Sequence, residues 1–163
     1  MIKKNLWRLM AILMVAVLSV GFVSCGDDDD EDGPSGSSLT GTWKETYYQE
    51  TEYKLTNGNW VKTDEDEESY PENEASMGII FQSDGKMKTV SDLKADGSYS
   101  HVEGEMKYKV QNDHLYLYYE DDDFSEWEDC GKISVSGNTF ELTWDEMDGN
   151  FRYVGKDVFK KVK

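Results

Sequence analysis

The sequence is poor in the residues that usually announce chemistry. Its 163 residues hold two cysteines, two prolines and two histidines, and only 17 Lys+Arg against 34 Asp+Glu. The resulting formal net charge of −17 repels phosphate backbones and anionic headgroups, which excludes nucleic acid as the expected partner. No CxxC or HExxH motif occurs, and neither His101 nor His114 has ligands at a metal-binding spacing, so no metal site is expected and both read as turn or surface histidines. A Gly-x-Ser-x-Gly elbow, a P-loop and a dinucleotide fingerprint are also missing. No catalytic residue and no cofactor is expected, and the chain reads as a non-enzyme. Carboxylate pairs are too abundant for any one of them to mark a glycosidase site, since catalysis needs two placed carboxyls with separated pKa values.

One long apolar run is present. Lys3, Lys4 and Arg8 precede 15 almost unbroken apolar residues, Leu9 to Val23. That is short for a spanning helix, which needs about 20, and suits the h-region of a signal peptide. Phe22-Val23-Ser24-Cys25-Gly26 follows and resembles the bacterial lipobox. The resemblance implies a signal peptide over residues 1–24 and acylation of Cys25, so that the membrane is a partner through an N-terminal lipid anchor. Loss of residues 1–24 removes three positive charges and no negative ones, leaving 14 Lys+Arg against 34 Asp+Glu and a net charge of −20. With Cys25 acylated, Cys130 stands alone and no intramolecular disulfide forms.

Residues 25–38 read as a tether, with Asp27-Asp28-Asp29-Asp30-Glu31-Asp32 self-repelling and Gly33-Pro34-Ser35-Gly36-Ser37-Ser38 flexible. Ser24-Cys25-Gly26-Asp27-Asp28-Asp29-Asp30 also resembles the acidic export tag of some Gram-negative lipoproteins. That implies an outer-membrane lipoprotein facing the medium, with a periplasm-facing anchor as the alternative. A second acidic cluster, Glu120 to Asp129, reads as a solvated hairpin loop, with a Ca²⁺ site as the weaker alternative because EF-hand spacing is missing.

From Leu39 the chain is cut at short intervals by Asn57-Gly58, Asp84-Gly85, Asp96-Gly97, Asn112-Asp113, Gly137-Asn138 and Asp148-Gly149. These dipeptides accept the positive φ of tight hairpin turns. The segments between them are rich in aromatic and β-branched residues and alternate, as in Phe140-Glu141-Leu142-Thr143-Trp144-Asp145. Period two predicts antiparallel strands with one buried face. The expected strands lie near 41–56, 59–63, 76–82, 86–92, 98–111, 114–120, 126–135, 138–145 and 150–162, with Asp64–Glu74 an acidic loop. Such a meander closes most simply as an all-β, up-and-down barrel of about eight strands over residues 39–163.

Leu39-Thr40-Gly41-Thr42-Trp43-Lys44 opens this domain with the Gly-x-Trp of lipocalin-like proteins, and Ile79–Lys86 and the ending Val158–Lys163 strengthen the likeness. The chain resembles the lipocalin-like domain of small bacterial surface lipoproteins. The resemblance implies a central cavity for a small apolar or amphipathic molecule. It also implies an arginine lying over the Gly-x-Trp indole, so Gly41, Trp43 and Arg152 are expected to close one barrel end. Tyr47, Tyr108, Leu117 and Trp144 are the candidate ligand-binding residues. The alternative is a cavity-less acidic scaffold for a protein or glycan at the cell envelope, whose partner the sequence does not name.

Overall fold

The structure, a computed structural model, describes residues 36–121 and 124–162. Cys25, the signal segment and most of the acidic tether therefore lie outside the described residues. A single helical turn, Gly36–Leu39, leads into nine strands: β1 (Gly41–Thr56), β2 (Asn59–Ser69), β3 (Ser76–Phe81), β4 (Lys86–Leu93), β5 (His101–Gln111), β6 (His114–Asp121), β7 (Phe124–Ser136), β8 (Thr139–Asp148) and β9 (Phe151–Lys161). All pairings are antiparallel and run in chain order from β3 to β9, and β9 returns to pair with β1. Eight strands thus close a barrel, and β2 is an additional strand on β1. The architecture is the antiparallel up-and-down barrel expected from the sequence and is consistent with a lipocalin-like barrel.

Local chemistry sets the turns. Asn57 and Gly58 both have positive φ (52° and 80°), as do Asn112 and Asp113 (52° and 61°), the geometry that joins two strands without splaying them. One expectation fails here. Asp64 to Ser69 is strand, not loop: β2 continues through the acidic run, with Glu67 opposite Gln49 and Glu68 opposite Tyr48. The carboxylates are tolerated because β2 is the open edge of the sheet, where most of its side chains reach water. Charges on such an edge also deter pairing with other chains.

The long strand β1 changes partner along its length. Gly41–Lys44 pairs with β3, and Tyr47–Thr56 pairs with β2. A bulge at Thr46 separates the two stretches, and the Ser76 hydroxyl ties the junction by donating to the Glu45 carbonyl at 2.6 Å. Because a bulge adds a residue, Glu45 and Tyr48 both end up buried on the two sides of it.

The end of the barrel near the helical turn, called the lower end below, is solid. Trp43, Phe81, Met87, Tyr108, Leu115, Ile133, Phe140 and Phe159 form its core. The Phe140 ring meets Trp43 edge-on at 5.8 Å and stacks on Phe159 at 5.2 Å. The Trp43 indole N–H donates to the Leu39 carbonyl at 2.6 Å, which docks the helical turn across this end.

Candidate functional site

The cation over Trp43 is Lys161, whose Nζ lies 5.1 Å from the ring centroid. Arg152 is not there. It pairs with β1 at Tyr53, towards the opposite end, while Trp43 pairs with Lys161. Its guanidinium instead grips Asp145 through two hydrogen bonds of 2.7 and 2.6 Å. The reason is register: nine residues separate Arg152 from Lys161 along β9, the distance from one rim of the barrel to the other.

Further up the inward face, the same buried cluster gains polar groups. Tyr48 stacks on Trp144 with centroids 6.1 Å apart, and Trp144 lies across the bare Cα of Gly155, where a Cβ would collide with the indole. In the same layer, Glu45 and Asp157 are 3% and 4% exposed, and Asp157 stands opposite Tyr48 in the β1–β9 register. Burial drives the Glu45 carboxyl well above the usual range, and the neighbouring Asp157, with which it shares a hydrogen bond, drives it further. Asp157 is pushed up to about 7, again mainly by burial. Two like charges this close in a low-dielectric interior cannot both form, so the pair holds a proton near neutral pH. Glu45 Oε2, Asp157 Oδ1 and Trp144 Nε1 are all buried without a hydrogen-bond partner.

Beyond this layer the inward side chains become partly accessible. Glu50, Leu117, Glu128, Glu146 and Tyr153 are all of intermediate exposure, whereas the lower core is closed. Burial and then the Glu128 and Glu50 charges push Glu146 up to about 7. Glu50 also acts on Asp157 and on Tyr153, and Glu68 acts on Glu45. These carboxylates therefore share one space. The inward side of the upper half is thus acidic, next to the buried Tyr48 and Trp144.

The wall parts beside it. β7 and β8 pair only from Lys132/Thr143 to Ser136/Thr139. Above that, β7 stays with β6 and β8 with β9. Gly131 sits at the fork with φ of 119°, so close to the Thr143 carbonyl that a Cβ would overlap it. A groove of about 590 Å³ lies over the seam, touching Trp144 and Glu146 from the inner layer and Gln49, Asp129, Lys132 and Lys156 around it. At its margin His114 Nδ1 is 2.8 Å from Asp129 Oδ2.

Of the four ligand candidates, Trp144, Leu117 and Tyr108 face inward, with Leu117 opposite Tyr108 and packed against the buried cluster that holds Trp144. Tyr108 belongs to the lower core, packed edge-on against Phe81 at 4.8 Å with its hydroxyl donating to the Gln82 carbonyl. Tyr47 is on the outer face, under Lys156 Nζ at 5.4 Å. The bulge at Thr46 decides this, exchanging the positions of Tyr47 and Tyr48 relative to an unbroken alternation. Cys130 carries no activated thiolate: burial pushes its thiol up to about 12. Among the described residues no group of three or more His, Cys, Asp or Glu is arranged to hold a metal ion.

A second feature lies on the outer wall. Tyr116, Tyr118 and Trp127 form a ladder, with Tyr118 and Trp127 centroids 5.3 Å apart and Trp127 38% exposed. Lys109 Nζ lies 4.5 Å from the Trp127 centroid and Lys107 Nζ 4.9 Å from that of Tyr118.

Comparison of the chain with protein-family models, with curated proteins and with solved structures finds no match.

The sequence reading missed Glu45, Asp157, Glu50, Glu128 and Glu146. Their signal was strand parity: Glu45 follows Trp43 by two, Asp157 precedes Phe159 by two, and Glu146 follows Trp144 by two. A carboxylate in phase with buried aromatics is a carboxylate directed at the interior.

Proposed function

We infer that the protein is a lipid-anchored binding protein whose barrel receives a small amphipathic molecule in its upper half. The single observation that carries this reading is the contrast within one barrel: a lower half closed by aromatic packing and an upper half whose inward side chains stay accessible. An eight-stranded barrel packed by its own side chains at one end can take one small ligand at the other. Its lining supports an amphipathic molecule over a purely apolar one, because Tyr48, Trp144 and Leu117 share the space with carboxylates.

Acylation at Cys25, with residues 1–24 as its signal and the acidic run as its export tag, would hold the barrel at the outer membrane, facing the medium. The net charge of −20 expected for the processed chain keeps the body off an anionic surface. Replacing Cys25 with Ala should release the protein from the membrane fraction, and protease added to intact cells should remove the barrel. Retention of the variant in the membrane refutes the anchor, and full protection refutes surface exposure.

The binding reading is tested by native mass spectrometry of the intact protein, purified gently from its producing cells. A mass excess that vanishes on denaturation is expected. A bare polypeptide mass, unchanged after incubation with small amphiphiles, overturns it. In that case the outer Tyr116–Tyr118–Trp127 ladder favours the second reading, a scaffold that stacks on a glycan or a protein partner.

A further inference from the structure

We propose that the ligand of the upper half is a small organic cation, a protonated amine carrying a neighbouring hydroxyl or carbonyl on an aromatic or short apolar body, with its head on the Glu45–Asp157 pair beside the Tyr48–Trp144 stack. The proposal rests on the binding function inferred above and names the class of molecule.

Three observations converge on it. The first is the sign of the walls. Glu50, Glu128 and Glu146 face inward there and Glu68 acts on Glu45 from β2, so an anionic head meets mainly like charge, which Lys44 opposes at Glu45 without cancelling it. The inward lysine at the top, Lys54, is held over the Phe151 ring at 5.4 Å and does not reach the pair. The second is the orphaned atoms of the pair. The two carboxyls share one hydrogen bond with each other, and Glu45 Oε2 and Asp157 Oδ1 are buried with no donor from any other residue. An ammonium is three donors with no acceptor, and its charge removes the repulsion that otherwise keeps the pair protonated.

The third observation is independent of the acids. Trp144 is 6% exposed, and its indole N–H is buried with no acceptor. It belongs to the same layer, since Trp144 stacks on Tyr48, Tyr48 stands opposite Asp157, and Gly155 opposite Trp144 is two residues from Asp157. Buried polar groups are almost always fully paired, so a layer in which two carboxyls have only each other and an indole N–H has no acceptor marks a missing partner of matching polarity. A hydroxyl or carbonyl beside the amine supplies the acceptor that Trp144 lacks.

The test compares 2-amino-1-phenylethanol, 1-phenylethanol and mandelate, which share a ring and a hydroxyl and differ in head charge. Each is titrated into the intact protein in a calorimeter at pH 7. The amine should bind at least about tenfold more tightly than the alcohol, the discrimination expected of charged hydrogen bonds, and mandelate should give no binding. In the double variant Glu45→Gln/Asp157→Asn the preference for the amine over the alcohol should disappear while near-ultraviolet circular dichroism reports an unchanged fold. The comparison in the unaltered protein needs no variant, so the proposal stays testable if the double variant fails to fold. Equal or tighter binding of the alcohol or of mandelate overturns the cation assignment while leaving a binding barrel in place. No binding of any of the three overturns it as well, and the mass of the natively purified protein then decides the broader reading separately.

Discussion

Replacing Asp157 with Asn should make the protein more stable at pH 8 and, by a clearly smaller margin, at pH 5. The Asp157 carboxyl is raised to about 7 in the folded barrel from an ordinary value of 3.8, so the folded state keeps a proton that the unfolded chain has already lost. Between those values stability falls as pH rises, by about 1.4 kcal/mol per pH unit for one proton. Acting alone through pH 5 to 7, Asp157 withdraws roughly 3 kcal/mol, a large fraction of a small domain's stability. Glu45, also raised, tilts the dependence the same way, as do Glu146 and Glu128 on β8 and β7. Lys44 opposes the rise at Glu45 but does not cancel it. Asp145, lowered by Arg152, acts with the opposite sign and only at more acid pH. The assay is urea unfolding followed by tryptophan fluorescence at pH 5, 6, 7 and 8. The unaltered protein should lose stability across this range, and Asp157→Asn should lose markedly less, its amide donating to Glu45 without adding charge. A midpoint that rises with pH in the unaltered protein, or an Asn variant with the same slope, refutes the buried, proton-sharing pair.

Gly131→Ala should destabilise the barrel by at least about 2 kcal/mol, because a side chain there has both a positive φ of 119° and the Thr143 carbonyl against it; urea unfolding measures the loss. Trp43→Ala should cost about 3–5 kcal/mol by opening a cavity among Phe140, Phe81 and Phe159 and by undocking the helical turn at Leu39, read as a fall in the unfolding midpoint and faster amide exchange in that turn. Lys161→Ala should lower the melting temperature measurably, whereas Arg152→Ala should leave it nearly unchanged, since the Arg152–Asp145 pair is exposed; the reverse order would restore Arg152 to the barrel closure.

The barrel was legible because its signals are local. Turn dipeptides and period-two runs placed all nine strands, and β1 was expected at 41–56, where it is found. Asp64–Ser69 was not legible as strand because charge density argues for loop unless the segment is known to be an edge, and edges are a property of the closed sheet. The candidate site was only partly legible. Trp144 and Leu117 follow from unbroken alternation. Tyr47 and Tyr48 were exchanged by a one-residue bulge that nothing in Glu45-Thr46-Tyr47-Tyr48 announces. Arg152 was misplaced because a resemblance supplies a role while register decides which cation reaches the ring. The carboxylate pair escaped notice because Glu45 and Asp157 lie more than a hundred residues apart, and only the β1–β9 closure makes them neighbours.

The central claim is that one half of the barrel is solid and the other open to a small molecule. Single cysteines at Glu50 and Tyr153 in the upper half and at Met87 and Phe159 in the lower half, on a background lacking Cys25 and Cys130, can be challenged with a small water-soluble thiol reagent under native conditions. The account predicts fast reaction at positions 50 and 153 and reaction at 87 and 159 only after unfolding. Protection of all four would mean an interior filled throughout, with no room for a ligand.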